Sequence, residues 1–99
     1  MSEAQIQVWH RDATCREFSE YAREKVATAL MHTALPVLKA KVALDRSKDP
    51  AVARPATASV EVDLNGSVVR AHAEATSHAE AIDLMQDRLR GRMARMSHR

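Results

Sequence analysis

Arginine residues crowd the last twelve positions of the chain, RLRGRMARMSHR, a segment that contains no acidic residue. Its five arginines are Arg88, Arg90, Arg92, Arg95 and Arg99. The segment carries a formal charge of +5, whereas the whole chain carries +2, so residues 1–87 sum to −3. Because a guanidinium group is a planar fork of donors that matches phosphate oxygens, this charge split predicts an anionic partner for the C-terminal segment.

Four of these arginines fall on one side of a helix when successive residues are turned by about 100°. They are Arg88, Arg92, Arg95 and Arg99. Together they span about 16 Å, a length over which they can follow a nucleic-acid backbone. The competing interpretation is that cations near a helix C-terminus complement the helix dipole. One or two arginines would serve that purpose, so four aligned arginines favour phosphate binding, and Arg90 points elsewhere.

Other reactive residue types give little support for an enzyme. The five histidines do not show the spacing of a zinc site, and two glycines cannot form a glycine-rich phosphate loop. Cys15 and His10 could form a dyad, but no third orienting group stands out. We therefore predict no metal and no cofactor. A single cysteine fits the reducing cytoplasm, and the absence of a long apolar run predicts no membrane contact.

Hydrophobic periodicity predicts the elements that position these side chains. Alternating residues indicate strands over 5–10, 37–45, 57–64 and 67–75, and helical spacing indicates helices over 15–33 and from 77 nearly to the C-terminus. Thr14 with Glu17, and Ser77 with Glu80, have the capping-box spacing. Residues 46–56 form a long loop, and Asn65-Gly66 predicts a tight hairpin of type I′.

The order β-α-β-β-β-α predicts a single α+β domain over residues 1–99. Each helix has one apolar stripe and the sheet has one apolar face, so the economical arrangement packs both helices on that face. In the second strand this face carries Leu38, Ala40, Val42 and Leu44. The expected fold is two-layered, with a four-stranded, mostly antiparallel sheet, like a double-stranded RNA-binding domain.

Further cations lie outside the C-terminal segment. Lys25 borders the buried stripe of the first helix, where it could also extend its aliphatic stem over the core edge. Arg23 lies on the solvent side of the same helix, where neighbouring glutamates offset its charge. Lys39, Lys41 and Arg70 project from the open face of the sheet. We include these residues as weaker candidates for an RNA-binding surface.

Three short motifs accompany the β-α-β-β-β-α order: Tyr21-Ala22-x-x-Lys25, the Asn65-Gly66 hairpin, and Ala81-Ile82-Asp83 followed by Asp87-Arg88-Leu89. Together they resemble the ribosome hibernation-promoting factor family, which includes ribosome-associated inhibitor A and was formerly labelled sigma-54 modulation protein. The likeness covers about residues 5–96. One departure is clear: the family usually has Asp-x-Tyr before the AID segment, where this chain has Ser77 and Ala79.

The resemblance implies a stress-response factor that regulates translation without catalysis. Members bind the small ribosomal subunit of 30S and 70S particles in the channel used by mRNA and tRNA. There they contact 16S rRNA near the decoding centre. Carried over by position, Lys25 matches a first-helix lysine of the family, and Arg88, Arg92 and Arg95 match positions along its second helix. Longer members add a domain that pairs ribosomes, so this chain is either a short member or the N-terminal part of a long one.

Two alternatives remain open at the level of sequence. The chain could be a stand-alone RNA-binding module for duplex RNA that is not specific to ribosomes. It could also be a protein-interaction domain that dimerises through its open sheet face or an edge strand. Binding to ribosomes distinguishes the first interpretation from both alternatives.

Overall fold

Four strands and two helices make up the fold in the computed structural model, which describes residues 5–11, 13–31 and 36–97. The elements are β1 (Gln5–His10), a 3-10 helix (Ala13–Phe18), α1 (Ser19–Leu30), β2 (Val37–Arg46), β3 (Ala56–Leu64), β4 (Ser67–Ala75) and α2 (His78–Ser97). The predicted order β-α-β-β-β-α is confirmed, and each predicted strand agrees with the structure to within one residue at either end.

The sheet has the strand order β1-β2-β3-β4 and is mixed. β1 runs parallel to β2 because α1 lies between them in sequence and returns the chain to the same end of the sheet. β2, β3 and β4 are antiparallel neighbours along the chain. The predicted sheet, four-stranded and mostly antiparallel, is therefore confirmed, and β4 forms one free edge.

A single apolar core lies between one face of the sheet and both helices. Strict alternation in β3 and β4 buries every second side chain, including Val60, Val62 and Val69. These residues belong to one cluster with Val26 of α1 and Ile82 of α2, so the helices cover the same face, as predicted. The opposite face of the sheet is left open to solvent.

The start of the first helix differs from the sequence-based prediction. The predicted helix began at residue 15 with Thr14 as its N-cap, whereas α1 begins at Ser19 after the 3-10 helix. Cys15 is fully buried, and Phe18 stacks against the imidazole of His78 with ring centroids 5.0 Å apart. These contacts with the start of α2 fix the path of the chain and override local capping preference.

The β3–β4 hairpin is tight, but its turn is not of type I′. Gly66 adopts φ +93°, while Asn65 does not have a positive φ. A type I′ turn needs positive φ at both central residues, so that part of the prediction is wrong. Only Gly66 requires the conformational freedom of glycine here.

A bulge in β2 changes which side chains face the core. The pairing of β2 with β3 skips Leu38, because Val37 pairs with Leu64 and Lys39 pairs with Asp63. Leu38 was predicted to be buried, but it is 55% exposed, and Val37 packs against the core instead. Beyond the bulge the predicted alternation holds for Ala40, Val42 and Leu44.

Candidate RNA-binding surface

The N-terminus of α2 is held by the residues that precede it. The backbone N–H of Glu80 donates a hydrogen bond to Ser77 Oγ over 3.2 Å, which makes Ser77 the cap that its spacing predicts. The Glu80 carboxylate accepts a hydrogen bond from Thr76 Oγ1 at 3.1 Å, in place of the backbone bond of a full capping box. This local network fixes where α2 begins.

The rotation of α2 about its axis is fixed by its apolar stripe. The buried side chains of this stripe are Ala81, Ile82, Met85, Leu89 and Met93. They pack against β3 and β4, so the side chains next to the stripe flank the core on two sides. One flank borders the free edge of β4, and the other faces α1. We call these the β4 flank and the α1 flank.

The β4 flank carries three of the four arginines predicted to lie in line. We call Arg88, Arg92 and Arg95 the arginine row. Arg92 and Arg95 line a groove of about 300 Å³ together with Val68 and Arg70 of β4. The fourth predicted member, Arg99, lies outside the described residues. The structure thus brings three guanidinium groups of one helix alongside the edge strand.

Members of the arginine row differ in what they contact. Arg88 Nη1 donates a 2.6 Å hydrogen bond to the backbone carbonyl of His72, which β4 leaves unpaired at the sheet edge. Arg92 and Arg95 form no hydrogen bond or ion pair with any residue in the described part of the chain. Their guanidinium donors are available to an anion, whereas one donor of Arg88 is already used by the fold.

The open face of the sheet holds the three cations predicted there. Arg70 Nε lies 3.2 Å from Glu61 Oε1 on the neighbouring strand, so its charge is partly compensated. Lys39 and Lys41 pair in register with Asp63 and Glu61, yet neither lysine reaches a carboxylate within ion-pair distance. Arg70 adjoins the arginine row, because it also lines the groove of Arg92 and Arg95.

The α1 flank has a different electrostatic character. Lys25 Nζ lies 3.6 Å from Asp83 Oδ1, and it sits 5.4 Å from the centre of the Tyr21 ring. The Tyr21 hydroxyl donates a 2.5 Å hydrogen bond to the same Asp83 oxygen. Gln86 Nε2 donates to the Lys25 carbonyl over 3.0 Å, which ties α1 to α2. Lys25 therefore belongs to an interhelical cluster rather than standing alone.

The hydrogen bond to Asp83 changes the acidity of Tyr21. Because that bond stabilises the protonated phenol, and because burial and the negative charge of Asp83 act in the same sense, the pKa of Tyr21 is raised above its ordinary value near 10. Lys25 works in the opposite direction but is the weaker influence. The phenol remains a hydrogen-bond donor across the physiological range.

Two remaining arginines of the helices are placed away from the arginine row. Arg23 Nη1 pairs with Glu20 Oε1 at 2.6 Å within α1, so its charge is compensated locally. Arg90 lines a groove between the helices with Ala29 and Asp87. The sequence-based separation of Arg90 from Arg88, Arg92 and Arg95 thus agrees with where the structure places these side chains.

The structure also reveals a polar contact that the sequence reading missed. His78 is only 5% exposed, and its Nε2 lies 3.5 Å from Cys15 Sγ. The sequence suggested His10 as a partner for Cys15, but His10 is exposed on β1. A signal was available, since His78 precedes Ile82 by four residues and so lies on the apolar stripe of α2.

Neither a metal centre nor a membrane span stands out in residues 5–11, 13–31 and 36–97. These residues contain no cluster of three or more histidine, cysteine, aspartate or glutamate side chains that could hold a metal ion. Within the same residues, neither helix combines the length and apolar character needed to cross a bilayer.

Fold and surface together define a two-layer α+β domain with a basic helix beside the free edge of its sheet. The chain belongs to the family described as Sigma 54 modulation protein / S30EA ribosomal protein, which its sequence matches over residues 6–99. The family resemblance drawn from the motifs is thereby confirmed. The chain has no significant match among curated protein sequences.

Two solved structures resemble this chain over nearly its full length. The N-terminal domain of Protein Y from Thermus thermophilus shares 25% sequence identity, with a TM-score of 0.68, over 96% of this chain and 99% of that one. A ribosomal subunit interface protein from Coxiella burnetii shares 18% identity, with a TM-score of 0.70 and the same coverage of both chains. At that identity the second likeness supports the fold alone.

Proposed function

We propose that this chain is a ribosome-associated factor that binds the small ribosomal subunit and silences translation. Membership of a family described as S30EA ribosomal protein carries the proposal. Residues 1–99 act as one ribosome-binding domain in the cytoplasm.

The proposed contacts are made to phosphates of 16S rRNA. Arg92 and Arg95 are the leading candidates, because their guanidinium groups have no carboxylate partner among residues 5–11, 13–31 and 36–97. Arg88 contributes with the donors that His72 does not use, and Arg99 extends the predicted line. Each phosphate contact releases condensed counterions, so binding depends strongly on salt.

The weaker candidates contribute to RNA binding according to how fully a nearby carboxylate compensates their charge. Lys39 and Lys41 are without ion-pair partners in the described part of the chain, whereas Arg70 is paired with Glu61. Lys25 shares Asp83 with Tyr21, and Arg23 is paired with Glu20. We therefore expect Lys25 and Arg23 to contribute less than the arginine row, although family position favours Lys25.

Inhibition follows from occupancy in this proposal. The domain fills the channel of mRNA and tRNA near the decoding centre, so that neither ligand can bind while it is present. No bond is made or broken, and one molecule silences one ribosome. Dimerisation of ribosomes is expected only if the full-length protein carries an additional C-terminal domain.

Co-sedimentation with purified 30S and 70S particles tests the proposal most directly. We expect binding that tRNA and mRNA reverse and that excess duplex RNA does not, together with stoichiometric inhibition of a purified translation system. Inhibition at substoichiometric amounts, or cleaved rRNA, would point to an enzyme instead. Duplex RNA binding without ribosome binding, or dimerisation without either, would support one of the two alternatives.

A further inference from the structure

A trough crosses the middle of the open sheet face. One row of paired residues runs over all four strands, and its members are Trp9, Ala43, Ser59 and His72. The two rings stand at the outer strands, and the two small side chains form the floor between them. Adjoining depressions of about 440 and 470 Å³ share these four residues in their linings.

Trp9 is the most unusual residue of this trough. It is the only tryptophan in the chain, yet it is 63% exposed and lies on the face of the sheet opposite the core. A single exposed apolar side chain needs no explanation by itself. Here, however, the indole and an imidazole stand on either side of a floor made of alanine and serine. Because most of the Trp9 surface is exposed, its aromatic ring is accessible to a planar ligand.

The charges around the trough are distributed unevenly. Lys41, Arg70 and Arg92 line one of the two depressions. Arg70 is compensated by Glu61, and His72 lies 3.9 Å from Glu74, whereas Lys41 and Arg92 have no such partner in the described residues. Arg92 also lines the groove of the arginine row, so the trough and the row meet at one guanidinium group.

We propose that this trough binds an unpaired nucleobase of ribosomal RNA, stacked on the indole of Trp9. The backbone of that nucleotide runs past Lys41 and Arg92, and Ser59 offers a hydroxyl to the edge of the base. This inference rests on the proposed function, because Arg92 would join the base to the strand held by the arginine row. Aromatic side chains stack on any base, so the site is tolerant of sequence.

A single RNA strand fits this face better than a second copy of the chain. Two sheets stacked face to face would bury charged side chains around the trough, among them Lys39, Lys41, Glu61 and Asp63. Burying charges without good partners is costly. A strand that contacts only the trough and its cationic side leaves most of those groups in water.

Affinity for 30S subunits of Trp9 variants tests the inference. We expect Trp9→Ala to weaken binding about 5- to 150-fold, the range that corresponds to loss of one stacked base, without changing the salt slope. Trp9→Phe should retain most of the affinity because it keeps an aromatic face. Leu38→Ala is the matched control, since Leu38 is a similarly exposed apolar residue of the sheet outside the trough, and it should bind like wild type.

Fluorescence of the single tryptophan supplies a second readout. A short single-stranded oligoadenylate should quench Trp9 to saturation, whereas an abasic strand of equal length should not. Absence of quenching by oligoadenylate, or full 30S affinity in Trp9→Ala, overturns the inference. A dimer that Trp9→Ala abolishes also overturns it, in favour of self-association. If the wild-type chain itself fails to bind 30S subunits, the proposed function is wrong, a result distinct from the loss of the trough alone.

Discussion

The cations that lie at the two flanks of α2 differ in how available they are to an anion. On the β4 flank, Arg92 and Arg95 face solvent with no acidic partner among the described residues. On the α1 flank, Lys25 lies 3.6 Å from Asp83, which also accepts the Tyr21 hydrogen bond. Lys25 projects from α1 toward a carboxylate of α2, whereas Arg92 and Arg95 project from α2 toward an edge strand where no carboxylate of the described residues reaches them. A count of basic residues therefore says less about an anion-binding surface than the position of the nearest carboxylate.

From this comparison we expect the largest loss of 30S binding when positive charge is removed from the β4 flank. Arg92→Ala with Arg95→Ala should weaken 30S binding by more than about 100-fold, since each of the two lost hydrogen bonds to a charged group contributes about 1.5–3 kcal/mol. The plot of log affinity against log salt should become about two units shallower. Binding of purified subunits at several salt concentrations measures both quantities.

Arg90→Ala is the internal control for that measurement, because Arg90 lies on the same helix but faces the groove beside Ala29 and Asp87. It removes one positive charge and should leave affinity close to wild type. Equal losses for Arg90→Ala and Arg92→Ala would mean that overall charge, not the β4 flank, governs binding. No loss in the Arg92, Arg95 double variant, with its fold intact, would remove the arginine row from the RNA-binding surface.

A smaller change in 30S affinity is expected on the α1 flank, where a substitution can remove the carboxylate instead of a cation. Asp83→Asn removes the carboxylate beside Lys25 and should strengthen 30S binding by up to about fivefold, because two unit charges 4 Å apart in water interact by about 1 kcal/mol. Lys25→Ala in the wild-type background should weaken binding by no more than a similar factor. In the Asp83→Asn background, Lys25→Ala should weaken 30S binding by a larger factor than it does in the wild-type background. Additive effects of the two substitutions would show that Asp83 does not restrain Lys25.

Stability should distinguish Arg88 from its neighbours in the arginine row. Arg88→Ala removes the hydrogen bond to the His72 carbonyl and should lower the free energy of unfolding by about 1 kcal/mol or less at this exposed edge. Arg92→Ala should leave stability unchanged, since Arg92 makes no such bond and alanine is a good helix former. Urea unfolding of both variants checks this, and equal stabilities would contradict a structural role for Arg88.

The smallest expected effect is on the pKa of Tyr21, the only tyrosine in the chain. Its pKa is raised, so folding favours the protonated phenol. The resulting stabilisation is fully present below the ordinary pKa of about 10 and is lost as pH rises through the higher value of the folded state. Asp83→Asn should move the pKa back toward about 10, as measured by the ultraviolet absorbance of the phenolate. An unchanged titration would separate Tyr21 from Asp83.

Much of the fold could be predicted because periodicity determines which face each strand buries. Two of the misses share a cause, which is contact between residues distant in sequence. The 3-10 helix before α1 follows from the packing of Cys15 and Phe18 on His78, and the bulge at Leu38 depends on how β2 meets β3. The third miss, the turn type at Asn65-Gly66, is local.

The candidate surface likewise has features that the sequence predicts and features that depend on how distant elements pack. Helical geometry alone separates Arg88, Arg92 and Arg95 from Arg90, because side-chain direction repeats every 3.6 residues. It could not reveal that Arg88 reaches His72 or that Asp83 lies beside Lys25, since both depend on where α2 packs. The trough between Trp9 and His72 was equally hidden, because it requires the pairing of all four strands.

The position of α2 after every strand has a consequence for biosynthesis. Most of the stability of an amphipathic helix in a protein comes from packing its apolar face, and Gly91 lowers the intrinsic helix propensity of α2. Its order therefore depends on burying Ile82, Met85 and Leu89 against the finished sheet. The arginine row is aligned only after that docking. A nascent chain that has completed its sheet but lacks α2 carries none of the three arginines of the row. The contribution of the arginine row to RNA binding therefore arises at once with completion of the core, rather than accumulating as each arginine is synthesised.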